Sequence, residues 1–322
     1  MHTASVNYDS DTASEDRSTT QLEPPKVKIH ANFQIARPPP GPGPKSSALR
    51  LSPKLVLQIQ QLIPRHRPIP VLEIWQPPLR KSNLTRDFAQ RPKMRSGDIY
   101  ATLDEPYICS RVALAQQERS PRGSPPLNHA DEERSANPKR DIVAALCQDS
   151  ASGGKEKEKD AAKTGRIHFR ETQCSWQASV GITGPDKRPC YRFTILEETR
   201  GQSSVAASGP IFLQWEKRDV AGKNGMGAVQ STDGEQFVLL VIDRAAQRKS
   251  RVATMTPAGL EITVRKTSTL ECLRSCWDLL QPISGPAGRR DDPDAPSDLE
   301  RWLYTQVLTL GGWVAQQEGW LH

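Results

Sequence analysis

Residues 237–264 read FVLLVIDRAAQRKSRVATMTPAGLEITV, and this stretch carries the strongest structural signal in the chain. Three apolar or β-branched runs, Phe237 to Ile242, Val252 to Met255 and Leu260 to Val264, are separated by a basic turn and by Pro257-Ala258-Gly259. Short runs of this kind bounded by turn chemistry are strands, and connections this brief leave no room for crossover helices. The stretch therefore predicts an antiparallel small sheet or barrel, not βαβ units.

Working outward, four more runs of the same character lie upstream: Ile167 to Phe169, Ser175 to Ile182, Cys190 to Leu196 and Ile211 to Trp215. Gly184-Pro185-Asp186 and the Gly-bounded segments 201–209 and 222–234 separate them. Downstream, Ser268-Thr-Leu-Glu271 reads as a capping box. Leu270, Leu273, Cys276, Trp277 and Leu280 then recur at helical spacing up to Pro282, which predicts a helix over 268–281. A second opening signal, Ser297-Asp-Leu-Glu300, precedes an apolar face of Leu299, Leu303, Val307, Leu310 and Val314, predicting a helix over 298–318. Gly311-Gly312 is the weak point inside it. The fold class expected is mainly β (α+β), a small antiparallel sheet or barrel closed by one or two C-terminal helices.

The first half of the chain has a different composition. Nineteen of 27 prolines precede residue 160, whereas twelve of 18 aromatic residues follow residue 165. Proline works against helix and sheet, and aromatics dominate core burial. The two trends cross at the Gly/Ser and alternating-charge stretch 151–160, which reads as a solvated linker. A folded domain over 165–322 is thus expected, preceded by a mostly disordered, Pro-rich basic arm over 1–164. Three motif-like segments interrupt that arm, at 51–64, 70–77 and 97–108. In the first, Ser52-Pro53 opens a short helix whose apolar stripe is Leu55, Ile59, Leu62 and Ile63. In the second, Val71 to Trp75 is extended. Ordering each residue costs roughly 1–2 kcal/mol, too much for so few apolar groups alone. Leu55, Ile59, Leu62, Ile74 and Trp75 are therefore the candidate partner-binding residues.

Charge is concentrated as well. The whole chain carries +7, yet residues 50–95 hold ten Lys/Arg against two acids, a local +8 that leaves −1 for everything else. Two clusters, Arg80-Lys81 and Arg91, Lys93 and Arg95, form the candidate basic patch. Such a patch suits nuclear import or contact with nucleic-acid phosphates.

Seven strands followed by an amphipathic helix carrying Trp277 loosely resemble the element order of pleckstrin-homology-like domains over residues 165–281. The resemblance implies basic residues flanking an early strand–strand loop, where Lys187, Arg188 and Arg192 fall. It adds a peripheral acidic membrane to the partners considered.

Signatures of catalysis are missing from the sequence. No HExxH, GxSxG, complete Walker A or dinucleotide-binding glycine fingerprint occurs. Gly153-Gly154-Lys155 resembles a phosphate loop, but Glu156 stands where the Mg²⁺-binding hydroxyl belongs. The histidines are scattered, and only His168 falls in a predicted strand. Cys272 and Cys276 share a helix face and read as core thiols, and the spacing of Cys174 and Cys190 does not make a zinc knuckle. No catalytic residue, cofactor or metal is therefore expected. No apolar run is long enough to span a membrane, and the polar, acidic N-terminus lacks the apolar core of a secretory signal. Six cysteines without such a signal read as reduced thiols, hence an intracellular protein, cytoplasmic or nuclear. The expected function is that of a non-enzymatic interaction or adaptor protein, a β-rich docking domain with a linear-motif arm. The alternative is a nuclear, nucleic-acid-associated regulator using residues 50–95.

Overall fold

The computed structural model describes residues 29–38, 52–78, 84–109, 141–149, 164–170, 172, 174–184, 187–197, 211–219, 235–280 and 295–321. Among them, twelve strands close into one antiparallel barrel in simple chain order, with β12 returning to pair with β1. The wall begins β1 (Ile29–Ala36), β2 (Lys54–Leu62), β3 (Ile69–Gln76), β4 (Ile99–Leu103), β5 (Asp141–Gln148) and β6 (Thr164–Phe169). It continues β7 (Cys174–Thr183), β8 (Arg188–Glu197), β9 (Ile211–Asp219), β10 (Glu235–Asp243), β11 (Arg248–Thr256) and β12 (Gly259–Val264). Two helices follow among the described residues, α1 (Thr267–Leu280) and α2 (Ala295–Gln317).

Alternation sets which way β1 faces. In β1, Ile29, Ala31 and Phe33 are buried while His30, Asn32 and Gln34 point outward and are exposed. That is the reverse of a lipid-facing barrel strand, which is apolar outside and polar within. Twelve strands about 4.8 Å apart enclose a circumference of roughly 58 Å, a diameter near ~18 Å that widens further with tilt. Wall side chains alone do not fill such a lumen. An α-helix about 10 Å across does.

That helix is α2. Tyr304 meets Phe33 of β1 edge-on at 5.5 Å, and Trp313 meets Tyr191 and Phe193 of β8 at 5.8 and 5.6 Å. Trp176 of β7 donates its indole N–H to Gln306 Oε1 at 2.7 Å. From Gln306 to Ala315 every residue of α2 is buried, the pattern of a helix surrounded on all sides. The adjacent glycines make the fit achievable. A Cβ at Gly311 would lie 3.1 Å from Met255 Sδ of β11, and one at Gly312 would overlap the Ile74 side chain of β3. The helix is not kinked or ended there. The missing side chains let it approach two different parts of the wall.

Because neighbouring strands are antiparallel, all odd-numbered strands start at one mouth, called here the near mouth. α1 caps it, burying Leu273 and Leu280 in the core, and Trp277 stacks on Trp302 of α2 at 6.4 Å. Tyr107, in the segment after β4, completes the cap by meeting Tyr304 edge-on at 5.6 Å. Gln61 of β2 pins that segment through both the N–H (3.0 Å) and the C=O (2.7 Å) of Ile108. At the far mouth Glu318 accepts from the Tyr191 hydroxyl and pairs with Lys217 at 3.2 Å. Burial works against the Lys217 ammonium, but Glu235 and Glu318 together outweigh it and raise its pKa.

Several expectations are met and several are corrected. Each of the seven predicted runs after residue 165 is a strand, and the helices expected at 268–281 and 298–318 occupy 267–280 and 295–317. The small seven-strand sheet, however, is only β6–β12 of a larger ring that β1–β5 complete. The pleckstrin-homology-like plan does not describe a twelve-strand wall around a central helix. The boundary expected at 165 falls at the start of β6, and five wall strands precede it. The helix read over 51–64 is strand β2. A bulge at Val56, between Leu55 and Leu57, breaks its two-residue alternation, so its apolar spacing imitates a helical stripe. Segment 70–77 is β3, and 97–108 holds β4 and the near-mouth cap.

Candidate functional site

With α2 packed along the lumen, the cleft that collects titratable side chains among the described residues lies on the outer wall. Ala145↔His168 and Cys147↔Arg166 are paired across β5 and β6, so these four side chains share that outer face. Residues 84–98 of the β3–β4 connection form a strap beside it. Two backbone bonds coil the strap, Phe88 N–H to Thr85 O at 3.1 Å and Arg91 N–H to Phe88 O at 3.2 Å, with Arg91 at φ 45°. Thr85 Oγ1 donates to Pro92 O at 2.6 Å, and Phe88 is buried. At the strap's end the Asp98 carboxylate accepts the N–H groups of Arg95 (2.5 Å) and Gln148 (2.8 Å), tying strap to β5. His168 and Gln90 hydrogen-bond through Nδ1 and Oε1 and tie it to β6.

Between strap and wall lies an open polar cleft of about 510 Å³. Lys93 and Arg95 line it from the strap, and Arg166 from β6. Asp98, Gln148 and Asp149 line it from the far-mouth end of the wall, with Cys147 and His168 on its floor. Two titratable side chains here, His168 and Cys147, are held in their uncharged forms. Burial, reinforced by the Arg166 charge, pushes the His168 imidazole down to about 4. Burial, helped by Asp98 and Asp149, pushes the Cys147 thiol up to about 12. Desolvation also raises the Asp98 carboxyl, against the two N–H groups it accepts.

Ser175 is the cross-strand neighbour of His168 on β7, but its hydroxyl makes no hydrogen bond and is fully buried. The His168 partner is the neutral amide of Gln90, not a carboxylate. A serine nucleophile needs a base in hydrogen-bond contact and a group that orients the base. Among the described residues no group of three or more His, Cys, Asp or Glu is arranged to hold a metal. None of the six cysteines forms a disulfide, and burial pushes the Cys109 thiol to about 11 and Cys276 to about 12.

The residues singled out from the sequence are dispersed. Ile59 and Ile74 are buried in the core against the lumen, so they present no partner-binding surface. Leu55 is half-buried in β2, and Leu62 is 40% exposed at the near mouth. Trp75 faces outward from β3, its N–H shared between Glu73 Oε2 (3.1 Å) and Thr102 Oγ1 (3.2 Å). Arg80 and Lys81 lie outside the described residues. Arg91 is exposed on the strap, and Lys93 and Arg95 reach the cleft. Arg166 escaped sequence reading because only barrel closure brings β6 beside the strap. Arg192 does not join Lys187 and Arg188 at a loop. It lies over the Phe212 ring at 4.8 Å, with Arg244 over the same ring at 5.0 Å.

No helix among the described residues is long and apolar enough to cross a membrane. No protein-family model, curated protein or solved structure matches this chain.

Proposed function

We propose that this chain is a non-enzymatic intracellular interaction protein, in which a barrel filled by its own C-terminal helix is a rigid platform for a partner-binding outer wall. The observation that carries the reading is the occupied lumen: where many barrels hold a ligand, α2 is packed with tryptophan and tyrosine contacts. The strap cleft supports it, because a preformed polar surface with neutral His168 and Cys147 offers recognition without a reactive group. Six cysteines without a disulfide fit a reducing compartment. Proximity labelling with the full chain tests the reading. Reproducible enrichment of a small set of proteins over a barrel of unrelated sequence is expected, and no enrichment would refute it.

A nucleic-acid-associated regulator is the second reading, favoured by Lys93, Arg95 and Arg166 meeting at one cleft. It requires binding to DNA or RNA that weakens steeply with salt. Absence of any mobility shift at low ionic strength would exclude it.

A further inference from the structure

Resting on the interaction-protein reading, we infer that the strap cleft is a recognition site for an acidic peptide segment of a partner protein. Barrel closure decides the mode. Among the described residues each wall strand is hydrogen-bonded to a neighbour on both sides, so the wall has no edge strand for a partner strand to extend. The cleft therefore engages a partner through its side chains.

The charges of the cleft select the ligand. Lys93, Arg95 and Arg166 are exposed on its rim, on two elements that only the folded barrel brings together. Of the two carboxylates, Asp98 is turned inward onto the N–H groups of Arg95 and Gln148. Among the described lining residues Asp149 is then the acid left at the surface of the cleft, beside the exposed Lys93 and Arg95 of the strap. A segment carrying a few carboxylates separated by polar residues matches that pattern.

A nucleic-acid strand matches it less well. Single-stranded ligands are held by stacking on aromatic rings along a continuous basic track, and no aromatic side chain lines this cleft. Asp149 would lie against the phosphate backbone. A small apolar ligand is disfavoured too, because pockets for such molecules are enclosed and largely hydrophobic. The volume of about 510 Å³ suits a few side chains of an extended segment.

The test is fluorescence anisotropy of a fluorescein-labelled hexaglutamate peptide titrated with the full chain. Saturable, salt-weakened binding is expected. The Lys93→Ala/Arg95→Ala double variant should bind roughly fivefold or more weakly, the loss of two partly exposed charge contacts. Lys249→Ala, removing an exposed charge on β11, should leave binding within about twofold of the parent. No saturable binding, or equal binding by the double variant, would overturn the assignment. So would tighter binding of a labelled ten-nucleotide oligothymidine at the same salt. Proximity labelling with the double variant separates this inference from its premise. Retention of every partner would overturn the cleft while leaving the interaction reading intact, whereas no partner for either protein would overturn both.

Discussion

The two faces of the β5–β6 wall show opposite solutions to burial. Inward, Leu146 and Ile167 pack in the main core that α2 completes, and Gly165 backs onto the Trp313 indole. Outward, Cys147, Arg166 and His168 meet a polar strap held by a handful of hydrogen bonds. One face derives its stability from apolar area and ring contacts, which pH and salt barely change. The other depends on desolvated polar groups, which pH and salt change readily. The same strands thus carry a structural surface and a responsive one.

The sharpest way to break this contrast is to damage the lumen. Trp313→Ala removes a fully buried ring touching Tyr191 and Phe193, and should cost about 3–5 kcal/mol in urea unfolding. A loss below about 1 kcal/mol would mean the helix is not packed as described.

Acid should act on the outer face instead. The folded pKa of His168, about 4, lies below its ordinary value of 6.5. Its contribution is then complete above pH 6.5 and is lost as the pH falls toward 4, because the unfolded chain binds the proton first. The ceiling on that loss is about 3 kcal/mol. Arg166 and Asp149 tune the window, and the raised Asp98 carboxyl opposes the loss at its lower end. His168→Gln should flatten the stability profile between pH 6.5 and 4, and an unchanged slope would remove His168 as its source.

A smaller effect tests the close approach of helix and wall. Gly312→Ala places a methyl against Ile74 and should cost about 1–3 kcal/mol despite alanine's better helix propensity. Adding Ile74→Val should recover part of that cost, a coupling expected only of touching residues. Gln306→Leu should cost a similar or slightly smaller amount, about 1–2 kcal/mol, by leaving the Trp176 N–H without its acceptor. At the weak end, Lys93→Ala and Arg95→Ala should leave the thermal midpoint unchanged, since both side chains are exposed.

Local order was legible where local rules operate. The runs at 237–242, 252–255 and 260–264 and the two capping signals led to β10–β12, α1 and α2, because alternation, turns and caps are written within a few residues. What escaped was closure. Proline-rich flanks made Val71 to Trp75 look like an isolated motif, yet β3 gains its stability from β2 and β4, up to about thirty residues away in sequence. The bulge at Val56 disguised β2 as a helix. The all-round burial of α2 was likewise hidden, because the polar Gln306 and Thr309 are buried only once Trp176 and the enclosing wall are present. For the cleft, Lys93 and Arg95 were visible as charge, but no pattern in the sequence pairs them with Arg166.

Hydrogen exchange measured residue by residue tests the central claim, that α2 is the core of the barrel. Amides of residues 303–315 should exchange only through global unfolding, while those of the strap at 84–98 exchange faster through local opening. Exchange of the 303–315 amides as fast as those of the strap would contradict it.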